Sequence, residues 1–416
     1  MPRPQPAAQP PSFCILKDRR QPLFELDIDV VTPMFGGGAV PREADPQHPV
    51  RGSSVRGHLR FWWRACRAGR FDTVEALFAR EQELWGGTAG AEGAPSTVDV
   101  HIQTLSAGKV TPIPTSRQAG PAWPEYALFP FREERGRGAG GGQKAANAIV
   151  GCRFHLTILP ASAGIADDIE GEVEAAVWTW LQFGGVGART RRGCGSLQAD
   201  ATSAFSAPPH PSWVAWLRDG LQTRMAPRST LAVPSLYEKL VPGPVTPSAI
   251  DAWAAAIDAL QRFRQLRDTP QSPSSGRRSS TGKSRWPEAR AIRCGSRSQA
   301  GFPKADLGLP IVFGRMEGNP TLDAAGEGAR RMASPLILKP LVLRNGTAVP
   351  LALLLRAPGP FAVGAPGACL THYGKAGPLV ADPASSRADV LGGAASAPLA
   401  FIDFLQELWA PKGGGR

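Results

Sequence analysis

Between Leu23 and Ala201 the hydrophobic pattern alternates between strand and helix periods in a fixed order, and that order limits the fold more than any single motif. Residues 23–30 (LFELDIDV) alternate apolar and acidic side chains, as a half-buried strand does. The pattern stops at Thr32-Pro33, and Gly36-Gly37-Gly38 opens a proline-containing loop that runs to Pro49. Helical spacing follows over 54–68 and again over 71–84. Residues 97–105 (TVDVHIQTL) and 148–159 (AIVGCRFHLTIL) read as two further strands. A helix is predicted over 168–183, with acidic residues in its first turn, where they complement the helix dipole. The run Gly184–Gly195 ends it, and 196–201 begins a fourth strand. The order β-α-β-β-α-β is that of a ferredoxin-like unit, here with long loops between its elements.

A chain of 416 residues is too long for one such core, so a second domain is expected. We divide it into a Pro-rich tail (1–20), an N-terminal domain (21–206) and a C-terminal domain (207–416). The second half offers an amphipathic helix over 249–267, strand candidates at 309–313, 336–343 and 349–355, and a final amphipathic helix over 396–409. A second domain of the same type fits these elements, although their strand order cannot be read. The fold class is therefore α+β, two ferredoxin-like (RRM-like) domains in tandem with long loop insertions. Eleven Trp and a 42% hydrophobic content supply enough apolar surface for two cores. The stretch 268–284, rich in Ser, Arg and Gly, reads as a mobile basic segment.

The formal charge is +12, which favours an anionic partner, nucleic acid before an acidic membrane. Six cysteines (Cys14, Cys66, Cys152, Cys194, Cys294, Cys369) show no Cys-x-x-Cys pair and no zinc-ligand spacing, so reduced thiols and no metal are expected. The N-terminal residues lack the apolar stretch of a signal peptide, and no run approaches the ~20 apolar residues of a membrane span. These features point to the cytoplasm.

Three clusters carry chemistry. Within residues 56–67 (RGHLRFWWRACR), Arg56, Arg60, Arg64 and Arg67 fall at roughly 0°, 40°, 80° and 20° around a helix. Like charges so placed repel one another, and their accumulation is relieved by an anion that guanidinium groups can fork. No acidic residue occurs from Val50 to Arg70. Phe61, Trp62 and Ala65 lie on the opposite side, with Leu59 and Cys66 flanking, and read as core. Trp63 sits beside the stripe. His58 falls among the apolar residues and reads as a core histidine rather than a general acid or base.

In the second cluster, 184–195 (GGVGARTRRGCG), Gly185 and Gly187 permit a close backbone approach while Arg189, Arg191 and Arg192 supply charge. The run lacks G-K-[ST] and joins a helix to a strand, so it is neither a nucleotide-binding phosphate loop nor a dinucleotide fingerprint. A cradle for a nucleic-acid backbone is the better reading. The third cluster, 262–297, holds ten Lys/Arg against Asp268 and Glu288. Basic arms of this kind strengthen RNA binding through counterion release. Paired-carboxylate, H-E-x-x-H and G-x-S-x-G motifs are missing, and the six histidines are dispersed.

The segments 32–38 (TPMFGGG), 55–65 (VRGHLRFWWRA) and 184–193 (GGVGARTRRG), with Ser284–Glu288 (SRWPE), 307–310 (LGLP) and 333–340 (ASPLILKP), together resemble the first subunit of Cmr-type (type III-B) CRISPR complexes, within the RAMP superfamily. Residues 344–416 and 111–142 take no part in the resemblance. It implies two ferredoxin-like domains, sibling subunits as partners, and a guide RNA whose 3′ portion, with target RNA, this subunit contacts in antiviral defence. Target cleavage resides in another subunit of such complexes, so no catalysis and no cofactor are expected here. Carried over, the loop residues and the arginine stripe become RNA-backbone contacts, with Arg285, Arg331 and Lys339 as further candidates. Some relatives cleave RNA with a His on the first helix. A metal-independent endoribonuclease using His58 is therefore the alternative.

Overall fold

The computed structural model describes residues 20–38, 40, 42–87, 93, 95–114, 123–133, 144–162, 167–265, 284, 286–294, 302–313, 320–325, 331–359, 368–371, 379–380 and 389–410. Its first half comprises β1 (Phe24–Val30), β2 (Met34–Phe35), α1 (Gly52–Arg67), α2 (Val74–Trp85), β3 (Val98–Ser106), β4 (Lys109–Pro112), α3 (Glu125–Leu128), β5 (Asn147–Val150), β6 (Arg153–Pro160), α4 (Asp167–Phe183) and β7 (Leu197–Ala199). Its second half comprises α5 (Trp213–Arg224), β8 (Ser235–Pro242), α6 (Ala249–Arg264), α7 (Pro287–Cys294), β9 (Ile311–Val312), β10 (Thr321–Ala324), β11 (Leu336–Val342), β12 (Ala348–Arg356), β13 (Ala368–Thr371), β14 (Leu379–Val380) and α8 (Ala397–Leu408).

The first sheet is antiparallel in the order β3-β6-β1-β7, so the last strand of the unit lies beside the first. Register pairs Leu26 with Leu156 and Ile28 with Phe154. Because successive strand residues face opposite ways, these four side chains share one buried face and cover α1 and α4. The other face carries Glu25, Asp27 and Asp29 on β1 and Arg153 and His155 on β6. The Asp27 carboxylate meets Nδ1 of His155 at 2.6 Å and accepts from Arg153 at 3.1 Å. Its pKa is held below the ordinary value, first by the hydrogen bond from His155.

One predicted strand is two. The run 148–159 breaks at Gly151, whose φ of +76° turns the chain. Residues upstream of it form β5, which pairs with β2 and β4 in a separate small sheet, while β6 enters the main sheet. Alternation continues through the break, so the pattern alone conceals it.

In the second half, β11, β12 and β8 form an antiparallel sheet in that order. Every residue of β11 is buried, as are all but the last of β12. A strand buried on both faces reads as a continuous apolar run, and LILKPLV does so apart from Lys339. Ile337, Leu341, Leu351 and Leu353 join the core around α1 and α4. Leu336, Leu338, Ala352 and Leu354 join a core with α6 and α8. The two halves are thus stacked as sheet, helix pair, sheet, helix pair, and share the α1–α4 layer. A fourth strand beside β8 is not found among the described residues. Instead β14, β13, β10 and β9 form a further sheet from chain on both sides of the β11–β12 hairpin. α5 and β8 have no counterpart in the sequence reading. Glu238-Lys239 interrupts the apolar pattern of β8, and exposed Val214 blurs the helical stripe of α5.

Helix boundaries follow local chemistry. Thr73 caps α2 by accepting the Ala76 N–H, Ser248 caps α6 through the Asp251 N–H, and Ser396 caps α8 through the Leu399 N–H. No helix among the described residues is long and apolar enough to cross a membrane.

Candidate nucleic-acid interface

The glycine-rich segment links α4 to β7 and is wedged between the two halves. Thr32 donates its hydroxyl to Gly193 O at 2.6 Å and accepts the Ser196 N–H at 2.8 Å. The Ala188 N–H donates to Phe35 O and the Gly195 N–H to Pro33 O, at 2.7 and 3.0 Å. The 32–35 segment therefore clamps the loop from one side. From the other, Trp253 of α6 donates its indole N–H to Arg192 O at 2.6 Å.

Two glycines are sterically required. A Cβ on Gly195 would lie 1.9 Å from Val186 O, and one on Gly187 would lie 2.5 Å from Phe35 O, with φ +81°. Gly187 is exposed, whereas Gly185 is buried in a bridge with Ser196. The loop is a packed clamp, not the freely accessible cradle that its composition suggests.

Its arginines are half-buried. Arg189 adopts the left-handed conformation at φ 59° and ψ 32°. Arg191 lies over the Phe61 ring, 5.4 Å from its centroid, and donates to Ser334 O. Arg192 donates to Leu336 O at 2.8 Å and to Arg191 O at 3.0 Å. Burial holds all three guanidinium groups below their ordinary pKa, most strongly Arg192, which Arg264 and Arg189 also repel.

The arginine stripe on α1 meets a different fate. Arg60 Nε donates to Glu81 Oε1 at 2.6 Å, and Arg64 bonds the same oxygen. Glu81, from α2, is 2% exposed in its side chain, against 26% and 33% for the two arginines. Arg67 is buried and donates to Arg224 O and Gly171 O at 2.7 and 2.8 Å. Its guanidinium is spent on capping neighbouring backbone and is withdrawn from the expected phosphate row. Arg56 alone of the four is exposed, beside a cleft of about 390 Å³ that Ser53 and His101 also line. The carboxylate missing from residues 50–70 is supplied by the next helix. Trp63, beside the stripe, is fully buried, with its indole N–H donating to Glu172 at 3.0 Å.

The loop and α1 do meet, but through the other face of the helix. His58, Phe61 and Trp62 line a cleft of about 190 Å³ with Phe183, Gly185, Thr190, Arg191 and Ile337. His58 stacks on Trp180 at 6.4 Å between centroids, and burial alone lowers its pKa. The expectation that the arginine stripe acts as one row of RNA-backbone contacts is therefore corrected: Arg60 and Arg64 face Glu81 of α2, Arg67 is buried, and the loop faces the aromatic side of α1.

Lys339 requires a second correction. It is 1% exposed, in the middle of β11, and donates to Leu181 O and Gly184 O at 2.9 and 3.0 Å. These carbonyls end α4, so the lysine caps that helix where its dipole is negative. Burial pushes its pKa down to about 7. Arg331 is exposed beside the start of β11. Arg285 and most of the basic segment near 268–284 lie outside the described residues. Sequence reading missed Glu81 and Tyr126, and took Arg264 only as one charge of the basic cluster 262–297. Arg264 ends α6.

The open face of the first sheet carries acidic Glu25, Asp27 and Asp29, which disfavours it as a phosphate platform and leaves the loop side as the cationic region. A loop of this design, a glycine-rich turn between the second helix and fourth strand of the unit, coincides with a family match: the RAMP superfamily model covers residues 27–198. Residues 27–198 are thus similar to a RAMP-superfamily domain. The chain is also 27% identical over 188 residues to the CRISPR system Cmr subunit Cmr1-2 of Pyrococcus furiosus, covering 41% of this chain and 92% of that protein. Among solved structures, a chain of a type III-B Cmr-beta complex bound to cognate target RNA and AMPPnP, in the presence of ssDNA, aligns over 93% of this chain and 99% of its own length. Its TM-score is 0.51 and its identity 12%, a likeness of fold. Apo Cmr1 from Pyrococcus furiosus aligns over 80% of this chain and 88% of its own, at 15% identity and TM-score 0.47. The family match takes in α1, α4 and the whole glycine-rich loop.

Proposed function

We propose that this chain is a non-catalytic RNA-binding subunit of a type III-B CRISPR effector complex. It contacts the 3′ portion of a guide RNA, target RNA, or both, alongside sibling RAMP subunits. In this reading both halves are ferredoxin-like, the second having lost or replaced its fourth strand. The observation that carries it is the glycine-rich loop, which concentrates Arg189, Arg191 and Arg192 at the seam between the halves, with Arg191 next to Phe61 and His58. Guanidinium groups beside aromatic rings suit a single strand, binding phosphate by charge and bases by stacking. The relative in Pyrococcus furiosus is named as a Cmr subunit, and the aligned complex holds target RNA; both support the assignment. His58 supports the non-catalytic reading, since it stacks on Trp180 and burial favours its neutral form.

The test is binding of a labelled single-stranded RNA to the full chain across a salt series, with and without Mg²⁺. Retention without cleavage is expected, with log K falling linearly against log salt. Each phosphate contact contributes about 0.7 to the slope for a single strand. Cleavage abolished by His58→Ala, or salt-independent binding, would overturn the proposal.

A further inference from the structure

The loop arginines lie against a cationic group that the RNA reading does not use. Arg264, at the end of α6, has its guanidinium 5.9 Å over the ring of Tyr126 in α3. Arg264 also acts on Arg189 and Arg192 as a repelling charge, and Tyr126 acts on both. Arg264 thus stands over the phenol ring, and Arg189 and Arg192 both feel the charge of these two groups. The Nε atoms of Arg189 and Arg264 are buried and donate to nothing among the described residues. Arg192 spends Nη1 on the carbonyls of Arg191 and Leu336.

Counter-charge is scarce. Among the described residues, the Glu288 carboxylate faces Arg264 and the Lys304 ammonium, and it accepts the Lys304 backbone N–H at 2.6 Å. Among the described residues Arg189, Arg192 and Arg264 form no ion pair with a carboxylate, which leaves positive charge in excess in a half-buried place. Buried guanidinium donors without acceptors cost free energy, and an anion that accepts several N–H bonds at once removes that cost.

We infer that Arg189, Arg192, Arg264 and Tyr126 form a binding site for a single phosphate group at the seam of the glycine-rich loop, α3 and α6. The inference deepens the RNA reading, resting on the same loop arginines. The phosphate belongs either to an RNA strand or to free phosphate, and both have the tetrahedral, multiply accepting oxygens the donors require. Phosphate is favoured over a carboxylate because guanidinium groups approaching from two elements match oxygens on several sides.

The test uses inorganic phosphate on the full chain, with thermal unfolding compared in phosphate and in chloride at equal ionic strength. Millimolar phosphate is expected to raise the midpoint. Arg264→Gln should abolish the increment and Tyr126→Phe reduce it, while Arg56→Gln, remote from the site, should leave it intact. A general salting effect of phosphate on the fold would act on all variants alike. Equal midpoints in the two salts, or an increment that survives Arg264→Gln with unchanged circular dichroism, overturns the inference. Should Arg264→Gln fail to fold, Arg264→Lys and Tyr126→Phe carry the comparison. A second arm separates the sources. Phosphate that displaces RNA from the unaltered chain, but loses that power with Arg264→Gln, assigns the site to an RNA phosphate; stabilisation without displacement assigns it to free phosphate. The first arm contains no RNA, so a failed RNA reading leaves its outcome interpretable.

Discussion

Two arginine clusters of similar sequence appearance end in opposite electrostatic states. On α1, Arg60 and Arg64 share the buried carboxylate of Glu81, and Arg67 is consumed by backbone carbonyls. In the glycine-rich loop, Arg191 and Arg192 also meet carbonyls, but no carboxylate is bonded to any of the three arginines among the described residues. A carbonyl satisfies hydrogen bonds while leaving the net charge in place, whereas a carboxylate cancels it. The count of arginines therefore says little about where an anion can bind. What matters is whether the fold brings a carboxylate to them.

The largest test of this contrast is Glu81→Gln. Removing a buried carboxylate between two guanidinium groups should cost about 2–3 kcal/mol, below the full value for a buried pair because both arginines are partly solvated. Urea unfolding measures it. If the contrast is right, the same variant binds RNA with a steeper salt dependence, since two cations are released. An unchanged slope would break the comparison.

Next comes Lys339→Met, which removes the donor to the two carbonyls that start the loop. We expect a loss of about 1–3 kcal/mol at pH 9. Its pH dependence has a definite sign. The folded pKa, near 7, lies below the ordinary lysine value of 10.5, so between these limits the unfolded chain binds more protons and stability rises with pH. The neutral amine still has two hydrogens for its two carbonyls. The gap between the unaltered chain and Lys339→Met should therefore widen from pH 6 to pH 10. A gap that narrows would show that the ammonium form is the stabilising one.

Replacing Arg189, Arg191 and Arg192 together by Gln should weaken single-stranded RNA binding about tenfold, the equivalent of about 1.4 kcal/mol. Fluorescence anisotropy at fixed salt reads it directly. Replacing Arg60 and Arg64 by Gln should weaken binding much less, and equal losses in the two variants would erase the distinction between the clusters. The smallest effect is expected from Arg56→Gln, about twofold or less, in line with one exposed and screened charge.

The first domain was legible because its pattern is locally encoded. Period-2 runs marked β1, β3 and β6, and helical runs marked α1 and α4, each within a residue or two of the observed bounds apart from the strand broken at Gly151. In the second half, β11 and β12 were legible as apolar runs, whereas β8 was not, because its charged pair breaks the alternation. The site was partly legible. The glycine-rich loop announced itself by composition, but the tightness of its packing depends on Phe35, Trp253 and β11, which arrive from far away in the chain.

Residue types and their spacing settled which segments become strands and helices, where the glycine turn falls and how much positive charge the chain carries. Those properties depend on neighbours within a few positions. Tertiary structure alone decided which cations are cancelled: Glu81 is separated from Arg64 by 17 residues, and Lys339 from Gly184 by 155. Electrostatic availability depends on distance and burial in space, and neither scales with separation along the chain.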